Sequence, residues 1–437
     1  MAITIDGADN KLEIGANATG PSSLRLYEDT DNGTNYVSII APSAVTSNRT
    51  ITLPDATGTL VTNSGSEAGA FSTLTVNSNN ISAENSLGFR NRIINGDMRI
   101  DQRNAGASVA TSSGSSVFVV DRWAVYYDAT SKLTAQQNAG SVTPPSGYSK
   151  YLGVTSSSAY TVGAGERFAL LQSIEGFNMA DLNWGTANAK TITLSFWVRS
   201  SLTGTFGGAL RNGNTGNPSY PFTYTISAAN TWEYETITIA GPTTGTWDST
   251  NGSGIQVWIS LGTGSTYSGT AGSWAATTYF SATGATSVVG TNGATWYITG
   301  VQLEVGSVAT PFERRDYGRE LALCQRYACS SFPLGTAWGQ NAGTAGAFSY
   351  IVLVGGTSAG FGISMPFPVT MRANPTLTYY NPSAANDKWR NTIANADSAS
   401  GAGVNIRAWG TQITNYQVAG DVASQTCQVH WSVTAEL

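Results

Sequence analysis

Charge is scarce in this chain. Charged residues make up 11% of its 437 residues, against roughly 25% in an ordinary soluble domain. The formal net charge of −5 offers no basic stripe for phosphate groups, which argues against nucleic acid as a partner. The low charge does not indicate disorder, because disordered chains lack aromatic residues and this chain carries 12 Trp, 19 Tyr and 14 Phe.

Histidine and cysteine are also rare. A single histidine, His430, argues against Ser-His-Asp, Cys-His and histidine-rich metal sites, and we interpret it as a packed strand residue. Cys324, Cys329 and Cys427 form an odd set without metal-ligand spacing. This pattern predicts reduced, buried cysteines and no disulfide framework. We expect neither a metal nor a cofactor.

Long apolar runs are missing as well. No run approaches the roughly 20 residues that a membrane-spanning helix needs, so no membrane insertion is expected. Residues 1–7 have neither a positive n-region nor an apolar h-region. We therefore expect no secretory signal.

Strand-forming residues separated by turn formers fill the chain instead. Ile192, Leu194, Phe196 and Val198 alternate with polar residues and Trp197, which is the period of a strand with one buried face. Residues 254–261 repeat the pattern, and Asn-Gly pairs supply turns between such segments. The sequence predicts an all-β fold whose centre is the two packed sheets of a jelly roll.

Changes in composition divide the chain into five segments. We predict an N-terminal β-hairpin segment at 1–60, with one hairpin over 24–40 and another over 50–60. A Ser/Asn/Gly-rich linker at 61–88 and a jelly-roll β-sandwich at 89–312 come next. A linking helix at 313–330 and a C-terminal β-sandwich at 331–437 follow. In this sandwich we expect strands at 348–354, 361–366, 376–380, 404–409 and 426–433. Within the jelly roll, the apolar phase of the last strand changes at Gly300, which predicts a β-bulge.

The linking helix is expected to run from Glu313 to Ala328. Its apolar positions Tyr317, Leu321, Cys324 and Ala328 follow a heptad spacing, so we consider them candidates for a trimer or domain interface. Such a stripe fits either a threefold axis or the surface of a neighbouring domain. The short N-terminal hairpins would expose strand edges as single copies, and for this reason we expect a homotrimer.

Two sequence blocks carry a resemblance to a known family. Residues 300–327 read as a buried strand that passes directly into a short helix, and residues 91–103, followed by 120–123, precede a strand-rich module. Both blocks resemble tail-fibre proteins of tailed bacteriophages, in which a jelly roll is followed by a C-terminal receptor-binding tip. The central module also resembles the jelly-roll carbohydrate-binding modules attached to glycan-degrading enzymes.

The resemblance implies a location and partners. It implies an N-terminus that attaches to the phage tail or baseplate, a tip that binds a bacterial surface polysaccharide, and assembly in the host cytoplasm into the virion. Carbohydrate-binding jelly rolls often hold a structural calcium ion near the first and last strands. Here Asp97 keeps part of that pattern, but Met98 and the pair Thr299-Gly300 replace the other acidic positions, and we expect no metal.

Aromatic residues in polar surroundings are the candidate glycan-binding residues. Trp197 and Trp258 project from strand faces made of Thr, Ser, Gln and Arg. Their rings could stack on sugars, although burial against a neighbouring subunit or domain is the interpretation we favour. The C-terminal candidates lie in or near predicted loops and comprise Trp338, Tyr380, Trp389, Trp409 and Tyr416. Tyr380 and Trp389 have turn-forming neighbours and are the preferred pair.

A catalytic role is the weaker alternative. A glycosidase needs two carboxylates about 5–10 Å apart, and Glu233 and Glu235 would lie about 7 Å apart on one strand. An alternating strand with these residues is more simply interpreted as a solvated edge, and no β-helical repeat typical of phage depolymerases is present. We therefore expect no enzyme and no catalytic residue. The alternatives are a tailspike-like glycan hydrolase and a purely structural tail or baseplate protein.

Overall fold

The structure, a computed structural model, describes residues 89–111, 116–352, 363–397, 403–415 and 425–437, together with six short strands before residue 89. These six strands form three antiparallel hairpins. They are β1 (Thr4–Asp6), β2 (Lys11–Glu13), β3 (Ser23–Tyr27), β4 (Tyr36–Ile40), β5 (Thr73–Val76) and β6 (Asn79–Ser82). The pairing of β3 with β4 confirms the hairpin expected there, whereas the expected hairpin at 50–60 lies outside the described residues. Residues 1–70 form one compact unit and residues 71–437 another.

Fourteen strands build the central module. They are β7 (Val109–Ala110), β8 (Ser116–Val120), β9 (Trp123–Tyr127), β10 (Leu133–Gln137), β11 (Leu152–Ser156), β12 (Arg167–Glu175), β13 (Ile192–Ser200), β14 (Gly204–Asn212), β15 (Ser219–Ile226), β16 (Glu233–Ile239), β17 (Ser253–Thr263), β18 (Ser268–Gly269), β19 (Ser281–Ala282) and β20 (Thr295–Val305). Twelve of them form two six-stranded antiparallel sheets, which we call the first sheet, in the order β16-β13-β20-β11-β10-β7, and the second sheet, in the order β15-β14-β17-β12-β9-β8. Strands β18 and β19 form a short parallel pair. The predicted all-β, jelly-roll architecture is confirmed.

The core lies between these two sheets. Phe196 and Trp296 of the first sheet and Phe206 and Leu210 of the second are fully buried in one continuous apolar cluster. The alternation in 191–199 holds in the structure, since Ile192, Leu194, Phe196 and Val198 face this core. The alternating residues of the first sheet therefore face outward, away from the core.

The last strand of the first sheet contains the predicted β-bulge. In the pairing of β13 with β20, Trp197 lies opposite Thr299 and Ser195 opposite Gln302, so one residue of β13 spans two of β20. Gly300 adopts a φ of +64°, and a Cβ atom there would lie 2.6 Å from the Tyr148 hydroxyl oxygen. Glycine is needed here both for the left-handed backbone and for the close approach of the tyrosine ring.

Helix α1 is shorter than the sequence predicts. It spans Tyr317–Gln325, and the Asp316 side chain caps its start by accepting a 2.9 Å hydrogen bond from the Arg319 amide. The preceding residues 312–316 are irregular because the side chains of Glu313 and Arg315 are bonded to the backbone of Asn91.

The predicted heptad stripe of Tyr317, Leu321, Cys324 and Ala328 is not present in this shorter helix. Leu321 and Cys324 pack against Ile94 and Ile100 of the same chain, in a cluster that includes Tyr327. Tyr317 is 43% exposed, and Ala328 lies beyond the helix in β21 (Ala328–Ser330). The four positions do not form one stripe, because the chain turns into a strand after the second helical turn. The packing of Leu321 and Cys324 on another part of the same chain matches the alternative of contact with a neighbouring domain.

The C-terminal module is organised around one long strand. After β21 come β22 (Phe348–Val352), β23 (Ile363–Pro366), β24 (Thr376–Tyr380), β25 (Arg390–Asn391), β26 (Ala396–Asp397), β27 (Gly403–Arg407), β28 (Gly410–Asn415) and β29 (Gln425–Thr434). Strand β29 pairs with β21, β22, β24 and β25, while β23, β28 and β27 form a separate three-stranded sheet. Met365, Cys427, Val429 and Val433 share one apolar cluster. The strands expected at 348–354, 361–366, 376–380, 404–409 and 426–433 all have counterparts.

Buried ion pairs join the jelly roll to the C-terminal module. Glu436 lies between Arg103 and Arg122, with 2.7 Å from its Oε1 to Arg103 Nη2 and a short contact from Oε2 to Arg122 Nη1. Glu175 at the end of β12 accepts hydrogen bonds from Arg326 (2.5 and 2.9 Å) and from the Tyr327 hydroxyl (2.6 Å). The domain boundaries near 312 and 330 stay predictions.

Two further expectations concern the cysteines and membranes. Cys324, Cys329 and Cys427 are all free and buried, as predicted. Cys329, however, lies on β21 and not on the helix. Within the described ranges, α1 and every other helix fall short of the length and apolarity needed to cross a bilayer.

Candidate functional site

The preferred tip residue, Trp389, is not on the surface. Its side chain is 0% exposed, and its ring lies 5.5 Å from that of Tyr379 and 6.4 Å from that of Phe348, edge to face with both. The expectation of a solvent-presented ring is therefore wrong. The polar neighbours at 386–390 suggested a loop. In the structure, Trp389 directly precedes the two-residue strand β25, which pairs with β29, and its side chain fills the core of the C-terminal module.

The other C-terminal candidates are spread over the module. Tyr380 is half-buried, with its ring 5.3 Å from Phe332 and its hydroxyl 3.0 Å from Ser432 Oγ. Trp338 packs under the guanidinium of Arg103 at 5.4 Å and donates its backbone N–H to the Arg103 carbonyl. Trp409, at 55% exposure, occupies the turn between β27 and β28. Tyr416 lies outside the described residues. The structure does not bring the three described residues, Tyr380, Trp338 and Trp409, together into one site.

His430 is fully engaged in packing. Its ring stacks on Phe332 at 4.2 Å and 11° between planes. Nδ1 lies 3.0 Å from Ser331 Oγ and Nε2 lies 2.9 Å from the Gly343 carbonyl oxygen. Burial lowers the pKa of His430 despite the contact with Gly343. The interpretation as a packed strand residue holds.

The carboxylate pair of β16 does not face the outside of the sheet. Glu233 lies opposite Val198 and Glu235 opposite Phe196, which places both on the core side at the edge of the first sheet. The Glu233 carboxylate accepts backbone N–H groups from Ser227 (3.0 Å) and Ala228 (2.8 Å). Burial, and secondly the Glu233 charge, raise the pKa of Glu235. These hydrogen bonds tie the Glu233 carboxylate to the loop that precedes its own strand.

Trp258 is covered by its own chain. It projects from the outer side of the second sheet as expected, but it is only 4% exposed. Phe280 packs on it at 4.5 Å and Tyr126 at 5.3 Å, both edge to face. The loop between β17 and β20 supplies Phe280, so neither a sugar nor a second subunit is needed to bury this ring. The favoured interpretation, burial of Trp258 against a neighbouring subunit or domain, is corrected accordingly, because residues of the same jelly roll cover the ring.

Trp197 is the centre of the remaining surface. The pairing of β13 with β16 places it opposite Tyr234, and the two ring centroids are 5.2 Å apart with 48° between planes. Tyr234 is 42% exposed and Trp197 is half-buried. Tyr148 stands nearby over Gly300. We call Trp197, Tyr234, Tyr148 and the adjacent Arg199 the aromatic face.

Tyr148 is held in place by aromatic and cationic neighbours. Its ring lies 5.6 Å from that of Phe312, and the guanidinium of the exposed Arg314 lies 4.7 Å above it. Burial raises the pKa of Tyr148 to about 12, although Arg314 acts in the opposite direction; Tyr234 adds to the rise. The hydroxyl therefore stays protonated at neutral pH and is available as a hydrogen-bond donor.

A buried aromatic layer supports the aromatic face beside it. Tyr297 lies opposite Gly153, and a Cβ at that glycine would come within 2.6 Å of the tyrosine ring. Trp232 and Tyr151 cover this ring. Arg199 extends over Tyr297 at 5.5 Å and donates its Nε–H to the Asn230 carbonyl at 2.9 Å. The remaining guanidinium N–H groups of Arg199 make no hydrogen bond to a described residue.

Tyr234 and Tyr148 were not predicted from the sequence as members of a site. In the sequence, Tyr234 lies between Glu233 and Glu235 in an alternating strand. This position indicates that its side chain lies on the face opposite to that of the two glutamates. Only the pairing of β16 with β13 reveals which ring it meets. Tyr148 lies in a connection without periodicity, and nothing in its local sequence indicates its place over Gly300.

Asp97, which keeps part of the calcium-binding pattern, forms an ion pair with Arg99. Asp97 Oδ2 lies 2.5 Å from Arg99 Nε, and burial raises the pKa of this carboxyl while Arg99 acts against the rise. Among the residues that the structure describes, no group of three His, Cys, Asp or Glu side chains is arranged to hold a metal ion.

No family model matches this chain, and no curated protein matches it in sequence. Its structural neighbours are carbohydrate-binding modules and a phage tailspike domain. The CBM22-2 xylan-binding domain from Paenibacillus barcinonensis Xyn10C is 16% identical over 46% of this chain and 99% of that chain, with a TM-score of 0.25. A carbohydrate-binding module of the CBM4 type is 14% identical over 48% of this chain and 98% of its own, with a TM-score of 0.23.

The tailspike neighbour is the enzymatically active domain of bacteriophage CBA120 tailspike protein 4. It is 13% identical over 49% of this chain, with a TM-score of 0.28, and this chain spans 21% of its length. At such identities and scores, none of these neighbours carries an argument about binding or catalysis.

Proposed function

We propose that this chain is a tail fibre of a tailed bacteriophage and that it binds a host surface glycan through the aromatic face of its jelly roll. The pair Trp197 and Tyr234, open on the outer side of the first sheet, is the observation that carries the proposal. The two flat rings, whose centroids are 5.2 Å apart, offer stacking surfaces for the C–H faces of sugars. Arg199 and the protonated hydroxyl of Tyr148 supply donors for sugar hydroxyl groups.

The junction of the two tail-fibre-like sequence blocks supports the phage assignment. Asn91 donates its side-chain N–H to the Val301 carbonyl and accepts the Leu303 amide, both at 3.1 Å. Asn95 donates its backbone N–H to Glu320 at 2.5 Å. The two blocks that carry the resemblance therefore contact each other within one folded unit.

The proposal includes the wider organisation implied by the resemblance. The N-terminal hairpins attach to the tail or baseplate, and three chains assemble so that their strand edges are covered. Repetition of a weak site by threefold symmetry and by several fibres per virion raises the effective affinity. A monomer mass in light scattering of the full chain would contradict the trimer without touching the glycan site.

Binding without cleavage is also part of the proposal. The hydrogen bonds from Ser227 and Ala228 to Glu233 support it, because a nucleophile or general base must be free to meet substrate. Incubation of host polysaccharide with the protein should release no reducing ends. Turnover abolished by Glu235→Gln would place the chain among the glycan hydrolases.

Adsorption to host cells, with a glycan array in parallel, tests the site. We expect Trp197→Ala and Tyr234→Ala to weaken binding about tenfold or more. Each substitution removes an aromatic ring that lies beside hydrogen-bond donors and contributes roughly 1–3 kcal/mol to the binding free energy. Melting temperature should change little because both rings are partly exposed. Trp409→Ala is the matched control, as an exposed tryptophan of the C-terminal module. Loss of adsorption in Trp409→Ala with normal adsorption in Trp197→Ala would move the site to the tip.

A further inference from the structure

Two arginines share one buried ring on the outer side of the second sheet. The guanidinium carbons of Arg167 and Arg211 lie 4.5 and 4.2 Å from the Phe280 ring centroid. Arg167 has acceptors for its hydrogen-bond donors. Its Nε lies 3.0 Å from Asp128 Oδ2, and its Nη2 donates to the Tyr126 hydroxyl at 2.7 Å.

Arg211 has no such acceptor. Within the described part of the chain, its guanidinium makes no hydrogen bond and no carboxylate lies within 4.0 Å of it, and its Nε is buried. Burial, and secondly the charge of Arg167, lower the pKa of Arg211 to about 10. The side chain is still positively charged at neutral pH. Contacts with Phe280 and Trp258 offset only part of the cost of removing its donors from water.

A second donor lies directly beside this cation. Gln256 is the residue opposite Arg211 in the pairing of β14 with β17. The Trp258 indole donates to Gln256 Oε1 at 3.0 Å. Because an indole N–H can only donate, the amide oxygen must face Trp258 and the amide nitrogen must face away from it. That nitrogen has no acceptor among the described residues.

The backbone of Gly216 packs closely against the end of the Arg211 side chain. Gly216, with a φ of +78°, lies so close that a Cβ atom there would be 2.4 Å from Arg211 Nη2. The hydroxyl oxygen of Thr278 lies 3.2 Å from the same point. Only a residue without a side chain can approach the guanidinium this closely, and the Thr278 hydroxyl lies beside the same contact. Of the Arg211 nitrogens only Nε is both buried and without a hydrogen bond, so the two Nη groups reach the surface.

We propose that Arg211 and Gln256 bind the carboxylate of an acidic sugar residue, with Thr278 available to a neighbouring sugar hydroxyl. The two parallel N–H groups of a guanidinium match a carboxylate in a two-point contact, and Gln256 adds a third donor. Two arginines and one aspartate leave this cluster with one positive charge. The convergence of charged, amide and hydroxyl groups fits a uronic acid within an acidic polysaccharide.

This inference goes beyond the proposed function and is independent of the aromatic face, which lies on the other sheet. Calorimetric titration of the full chain with oligogalacturonate and oligoglucuronate, and with their methyl esters at equal ionic strength, tests it. The wild-type protein should bind at least one acid and not its ester. Arg211→Gln should weaken acid binding about tenfold or more, whereas Arg319→Gln, which removes an exposed helix arginine, should not.

Thermal unfolding separates a binding role from a structural one. Arg211→Gln removes a charge that lacks an acceptor, so its melting temperature should equal or exceed that of the wild type. A lower melting temperature would mean that Arg211 supports the fold, and the proposal would be overturned. The same holds if acids and esters bind equally, if neither acid binds, or if Arg211→Gln binds like the wild type. Trp197→Ala should leave acid binding intact, which keeps the two proposals distinguishable.

Discussion

Glu436 offers a direct measure of how firmly the C-terminal module is attached to the jelly roll. The Glu436→Gln substitution keeps the shape of the side chain but removes its charge. Arg103, at 11% side-chain exposure, would then keep only Asp121 at 4.0 Å. Arg122, at 2% exposure, would have no ion-pair partner among the described residues. One buried positive charge would be left uncompensated.

The expected cost follows from this geometry. Breaking a buried ion pair by removing one partner costs about 3–5 kcal/mol. The guanidinium of Arg122 keeps its contact with the Tyr327 ring at 3.6 Å and its bond to the Ser173 carbonyl, so we expect the lower end of this range. A loss of roughly 3 kcal/mol corresponds to a melting temperature lower by on the order of 5 °C in a unit of this size.

The pH dependence gives the interpretation a second test. Burial alone would raise the pKa of Glu436, but Arg122 and Arg103 outweigh it and hold this pKa below its usual range. Stabilisation by a carboxylate with a lowered pKa is complete above the unfolded-state pKa and is lost as the pH falls through the folded-state value. The difference between wild type and Glu436→Gln should therefore be full at pH 7 and shrink in acid.

Thermal unfolding monitored by tryptophan fluorescence measures both effects. Asp181→Asn is the matched control, because this carboxylate also pairs with a buried arginine but is itself 49% exposed, and such a pair contributes about 1 kcal/mol or less. Equal melting temperatures for wild type and Glu436→Gln at pH 7 would refute the reasoning. So would a difference that grows in acid.

Three further outcomes can be checked by the same unfolding assay. Gly153→Ala should cost about 1–3 kcal/mol, because its methyl group would meet a tyrosine ring at 2.6 Å, whereas Gly165→Ala, with open space around it, should be nearly neutral. Burial raises the pKa of Asp121 to about 6 in spite of a nearby arginine; stability should therefore fall as the pH rises from about 4 to about 6, and Asp121→Asn should abolish that slope. A slope unchanged in the variant would assign it to another group. Trp389→Ala should lose about 3–5 kcal/mol as a fully buried ring, while the exposed Trp409→Ala should lose under about 0.5 kcal/mol; equal losses would contradict the burial difference.

Periodicity was enough to predict the sandwich. The alternation around Phe196 specifies which side of β13 is buried, because every second side chain must enter the core. The phase change at Gly300 likewise located the bulge, since one extra residue reverses the faces of the strand. These features depend on neighbours in the sequence, and a sequence displays them directly.

The candidate site could be predicted only in part. Trp197 was identified from its polar neighbours, and the same argument failed for Trp258 and Trp389. Local polarity does not reveal what distant segments bring: Phe280 covers Trp258 from a loop, and β29 covers Trp389. The start of the helix was missed for a related reason, because the hydrogen bond from the Asn91 amide to Glu313, more than 200 residues away in sequence, keeps residues before Tyr317 out of the helix.

The four pairings made by β29 have a consequence for how this protein is synthesised. Strands β21, β22, β24 and β25 all leave the ribosome before the strand with which they pair. Each must wait, with unpaired edges exposed, until residues 425–434 emerge. The two six-stranded sheets of the jelly roll close earlier, at β20. A polypeptide interrupted before Gln425 would therefore carry a completed jelly roll and a C-terminal module whose main sheet is reduced to the short β25–β26 pair, and such fragments would be prone to aggregate through the unpaired edges.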